Sequence, residues 1–91
     1  VADQATIASD ILARYAADAA RDVEGVRAIA GRRGVRISGK EATRIELHVV
    51  VEPGVSIPAL GRAVQARVRE YLSSMADVEP ASVDVVVDAI E

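Results

Sequence analysis

Ninety-one residues fit one domain, and the absence of cysteine excludes a disulfide framework, a zinc–thiolate site and a redox pair. Eleven Lys and Arg stand against fourteen Asp and Glu; the net charge of −3 supplies no global field to attract a phosphate backbone. Aliphatic runs such as Val49-Val50-Val51 fall far short of the roughly 20 residues that span a bilayer.

No basic segment followed by an apolar one opens the chain, so it has no signal-like start. It begins at Val1 rather than Met, which leaves room for a tail or anchor ahead of it. With no Phe or Trp and only two Tyr, the core must come from Val, Ile, Leu and Ala.

In chain order, residues 1–8 read as a short lead-in, extended at Gln4–Ala8. Ser9 suits an N-cap, and Asp10 suits the positive end of a helix. Ile11, Leu12, Tyr15, Ala16, Ala19 and Val23 recur at helical spacing, with Arg14, Asp18, Arg21 and Asp22 opposite. This predicts an amphipathic helix from about Asp10 to Asp22, closed near Gly25 by a positive φ. Val26–Ala30 then starts a strand. Gly31-Arg32-Arg33-Gly34 interrupts it, and Val35-Arg36-Ile37 resumes it before a turn at 38–41.

Residues 44–52 alternate apolar and polar and predict a second strand, paired to the first as a hairpin and stopped by Pro53-Gly54. Pro58 fits the first position of a helix over 58–75, with an apolar stripe of Leu60, Val64, Val68, Tyr71, Leu72 and Met75. Asp77–Pro80 reads as a turn, and Ser82–Ile90 as a third alternating strand. The α-β-β-α-β order predicts an α+β domain of two layers: a three-stranded mixed sheet with both helices on one face. The second helix returns the chain, so the second and third strands should run parallel. One domain covers 1–91, with its core at about 9–90.

Ile45, Leu47, Val49 and Val51 share one face of the second strand, and Val83, Val85, Val87 and Ala89 one face of the third. These form the inner side. The other side carries Arg44, Glu46, His48 and Val50, joined by Asp84, Val86, Asp88 and Ile90. Solvation of a wet sheet face is the plainer account, since singly exposed aliphatics are normal. The sharper account is a contact surface for another copy or a partner, built on Val50, Val86, Ile90 and His48.

Little else suggests chemistry. His48 is the one histidine, and Glu46 and Val50, two residues away along an extended strand, do not make a triad by themselves. Asp84 and Asp88 are four strand residues apart, about 13 Å, too far for a glycosidase carboxylate pair or one hard metal ion. No catalytic, cofactor or metal residue emerges, and an enzyme is not expected. Gly31-Arg32-Arg33-Gly34 matches the Gly-x-x-Gly loop with which KH domains clamp a nucleic-acid backbone. That loop joins two helices, however, whereas this one interrupts a strand. Nucleic acid is therefore the weaker alternative.

The order of short motifs is more specific. Asp22-Val23-Glu24-Gly25-Val26 follows an Ala-rich helix, then come Gly34-Val35, the alternating Ile45-to-Val51 strand, Ile57-Pro58, Val64-Gln65, Val68, Met75 and finally Val83-Asp84-Val85-Val86-Val87. Together these resemble the alkaline shock protein family, the Gls-type envelope stress response proteins of Gram-positive bacteria. The resemblance covers about Ser9 to Ile90. Glu52-Pro53-Gly54 stands where the family often has an aromatic residue and Gly, and Ala76-Asp77-Val78 where it often has Thr-Gly-Leu.

The resemblance implies a non-enzymatic cytoplasmic role linked to cell-envelope stress. It implies self-association or recruitment to the membrane by a small membrane-anchored partner, and it brings no catalytic or cofactor residue. The same element order is also similar to ring-building domains of secretion and sporulation complexes, an analogy of fold alone.

Overall fold

The computed structural model describes residues 2–31, 34–39 and 42–91. Its elements are α1 (Ala2–Arg21), β1 (Val26–Ile29), β2 (Val35–Ser38), β3 (Arg44–Val51), α2 (Ile57–Ala76) and β4 (Ser82–Ile90). β3 is the central strand. β1 and β2 both pair antiparallel with it, β1 opposite Val49–Val51 and β2 opposite Arg44–Leu47. They therefore lie end to end along the same edge. β4 takes the other edge, parallel to β3, with Ile45 opposite Val83 and His48 opposite Val86. Four strand segments thus fill three positions of a mixed sheet, because the expected first strand is split in two.

The split leaves β3 fully bonded. Ala30 N donates to His48 O at 2.8 Å, and His48 N donates to Gly34 O at 2.7 Å. The chain leaves the ladder after Ala30 and rejoins it at Gly34, so the detour costs β3 no backbone partner. A Cβ on Gly34 would run into Ile29 Cγ2 and come within 2.5 Å of the Ala30 carbonyl oxygen. The close return needs glycine there.

Both helices cover one face, where Ile45, Leu47, Val49 and Val51 are at most 1 % exposed. Leu60, Val64, Val68 and Leu72 of α2 and Ala16, Ala19 and Ala20 of α1 close the core over them. Small alanines let α1 approach closely, and Tyr15 meets Tyr71 edge-to-face with ring centroids 5.7 Å apart. No buried residue among those described is polar or charged. Gly25, at φ +99, makes the turn from α1 into β1 as expected.

Three local expectations need correction. α1 begins at Ala2, so residues 2–8 are helical rather than a lead-in and Ser9 lies inside the helix. No Gly or Pro interrupts Ala2–Arg21, and Ala2, Ala5 and Ala8 favour helix more than Thr6 and Ile7 oppose it. Pro58 is the second helical position, because Ser56 is the N-cap and its hydroxyl accepts from Ala59 N at 3.3 Å. Met75, in the last turn of α2, is 50 % exposed instead of core. That helix ends on Asp77 in the left-handed region (φ 55), with Val78 N donating back to Leu72 O.

Candidate interaction surface

The strand period sends Glu46, His48 and Val50 of β3 to the side away from the helices, and Asp84, Val86 and Asp88 of β4 to the same side; a one-residue shift beyond Val87 then sets Ile90 opposite inward-facing Val51. That side is open: Val86 is 39 % exposed, and Asp84 and Asp88 are exposed with it. Val50 and His48 are half-buried by their neighbours in the sheet. Of the four residues expected to form a partner surface, Val50, Val86 and His48 share this face, whereas Ile90 lies opposite Val51 beyond the register shift. Arg36 of β2 lies opposite Glu46, and Arg44 starts β3 at the same end. The face thus carries cations towards β2 and carboxylates along β4, with aliphatic residues beyond.

His48 is the most structured group on this face. Its Nε2 lies 2.7 Å from Glu46 Oε2, and its Nδ1 lies 2.8 Å from Asp88 Oδ1. Glu46 is two residues back on the same strand, so that contact follows from the pleat. The contact joins one carboxylate to the ring without making a triad. Asp88 arrives differently. Val49 pairs with Val87 but Val50 pairs with Ala89, so Asp88 is an extra residue on β4. The bulge brings its carboxylate to the ring of His48.

A carboxylate on each ring nitrogen favours the imidazolium, because only the charged ring can donate from both. The His48 pKa is raised, chiefly by the hydrogen bond to Glu46 and next by that to Asp88, with desolvation opposing. This is not a catalytic arrangement: both nitrogens are engaged and no nucleophile adjoins them. Nor is it a metal cage, because the two carboxylates lie at opposite nitrogens. Among the described residues no three His, Asp or Glu side chains are grouped to hold a metal ion.

The glycine-rich segment lies elsewhere. Gly31 (φ +62) and Gly34 flank the excursion between β1 and β2, while Arg32 and Arg33 lie outside the described residues. Gly31 and Gly34 border a shallow groove whose other walls include Arg14 and Arg21 of α1 and Arg27 of β1. Arg21 is paired with Asp18 at 2.9 Å. The helical pattern marks Arg14 and Arg21 as outward-facing, but their meeting with Arg27 depends on how α1 lies across the sheet.

The fold and the face define a small two-layer α+β domain that offers a surface, with no catalytic constellation among its described residues. The chain belongs to the alkaline shock protein 23 family, described by a cell envelope-related function; the match spans residues 30–91. No curated protein matches it in sequence.

Solved structures of the MamM C-terminal domain share the fold. A nickel form superposes with a TM-score of 0.62 at 17 % identity, covering 90 % of this chain and 99 % of that one. A cadmium form gives 0.61 at 18 %, covering 90 % and 96 %. A copper form gives 0.61 at 17 %, covering 90 % and 98 %. At such identity the likeness concerns architecture alone. No helix is long and apolar enough to cross a membrane among the described residues.

Proposed function

We propose that this domain is a non-enzymatic interaction module of the cell-envelope stress response, and that it works by docking its open sheet face against a second copy. The observation that carries this reading is the face itself. Aliphatic Val86 is exposed beside half-buried Val50, while Arg36 and Arg44 gather with Glu46 and Asp84 at one end of the face and Asp88 lies nearer the other. Two copies related by a two-fold axis can set the cations of one against the carboxylates of the other, as an isologous contact requires. The family's envelope role supports the same reading. It also supports a cytoplasmic, membrane-proximal location reached through a small membrane-anchored protein.

Val86→Lys and Val50→Lys test it. Each places a cation in the aliphatic part of the face without touching the core. Light scattering at increasing concentration should show the wild-type chain above monomer mass and both variants shifted towards monomer, with unchanged circular dichroism. Wild-type chain that stays monomeric, or variants that assemble as well as it does, would refute the docking face. The weaker alternative is a KH-like nucleic-acid module acting through Gly31, Arg32, Arg33 and Gly34. It draws on the arginines of the neighbouring groove.

A further inference from the structure

The open face contains a group that can change its charge in the physiological range. His48 is 27 % exposed, sits opposite Val86 at the middle of the face, and touches a carboxylate with each nitrogen. The charged and titratable groups around it can be taken element by element. Its own strand contributes Glu46 and, at the far end, Arg44. β4 contributes Asp88 in contact and Asp84 opposite Glu46. The first-strand edge offers Ala30 and Gly34 beside His48, both uncharged, and Arg36 opposite Glu46. With His48 charged, the cations and carboxylates of this set balance. With His48 neutral, one negative charge is in excess on each copy.

We propose that His48 gates this face: its charged ring, clamped between Glu46 and Asp88, permits a second copy to dock, and loss of its proton releases that copy. The inference rests on the self-association reading above. Two physical effects point the same way. A neutral imidazole has one N–H and can serve only one of its two carboxylates, so docking then buries a carboxylate without a partner. The excess negative charge also meets the same excess on the facing copy. Docking therefore holds the proton more tightly, and by linkage the assembly weakens as the proton is lost. The raised pKa places this loss above the ordinary histidine value of about 6.5.

His48 is the only histidine, so its ring resonances in an NMR titration report the gate directly. Sedimentation velocity on the same samples reports assembly. From about pH 6 to about pH 9 the wild-type association constant should fall, by up to tenfold per pH unit for each proton released. In Glu46→Gln/Asp88→Asn the His48 midpoint should move down and assembly should lose its dependence on pH over this range. His48→Arg, which keeps a charge throughout, should assemble at both extremes. Wild-type assembly that is equal at every pH would overturn the gate and leave the docking face standing. Wild-type chain that is monomeric at every pH would overturn both. A His48 midpoint unmoved by the double change would overturn the clamp.

Discussion

Gly25 and Gly54 provide a paired test of how the fold is held. Both have positive φ, +99 and +87, but their surroundings differ. A Cβ on Gly54 meets nothing within 4 Å, whereas one on Gly25 would lie 2.9 Å from Leu60 Cδ1 and 3.0 Å from Val55 Cγ1. Gly54→Ala thus suffers only the left-handed backbone penalty, about 1–2 kcal/mol. The lower conformational entropy of its unfolded chain offsets about 0.4–1 kcal/mol of that. Gly25→Ala carries the same two contributions and adds overpacking of about 1–3 kcal/mol. Leu60 is 5 % exposed and cannot swing away without disturbing the layer of α2 against the sheet.

The expected loss is therefore about 0–1.6 kcal/mol for Gly54→Ala and about 1–4.6 kcal/mol for Gly25→Ala. The larger figure is a sizeable part of the stability of a small domain. Urea denaturation followed by circular dichroism measures both, and equal slopes would show that the change lies in the folded packing. If Gly25→Ala loses no more than Gly54→Ala, the close approach of α2 to the α1–β1 turn is not as described.

Two further outcomes follow from the same face and groove. At concentrations low enough for monomer, His48 should stabilise the fold by an amount fully present below its unfolded pKa of about 6.5 and lost as pH rises through its raised folded value. Thermal melts of wild-type chain should thus decline over that window, and His48→Gln should remove the decline; an identical decline in both would show that other groups cause it. Single-stranded RNA at low salt should bind weakly or not at all, because the net charge is −3 and no strand offers an aromatic platform. Tight binding abolished by Arg32→Ala/Arg33→Ala, read by fluorescence anisotropy, would reverse the choice between the two functional readings.

What could be read from the residues was whatever local periodicity controls. The alternation of residues 44–51 and 82–87 assigned inner and outer sides correctly, since in an extended chain the side is set by the parity of position, and it failed at Ala89 and Ile90, where the bulge reverses that parity. Gly31 and Gly34 marked the break in the first strand. Parity alone puts Val50, Val86 and His48 on a common face. The contact between His48 and Asp88, forty residues apart, was not legible. It depends on the parallel register of β3 and β4 and on a one-residue bulge, and neither leaves a mark in single-sequence patterning. The start of α1 failed for the opposite reason: Ser9 and Asp10 form a good cap signal, but local capping preferences yield when the chain before them is also able to be helical. The arginine groove needed the packing of α1 on β1, which periodicity does not specify.

Both edges of the sheet are interrupted, and this bears on why the face rather than an edge is the surface to test. Along one edge β1 and β2 are separate segments, and both Ala30 and Gly34 bond to the backbone of His48. Along the other edge β4 bulges at Asp88, which twists and breaks the row of backbone groups that edge pairing would need. The two irregularities meet at one residue. The first lies across from the backbone of His48, and the second delivers Asp88 to its ring. Devices that discourage indiscriminate edge pairing thus also build the charged clamp in the middle of the open face. A substitution that repaired the β4 bulge would extend the strand and, at the same stroke, withdraw one carboxylate from the group on which docking is proposed to depend.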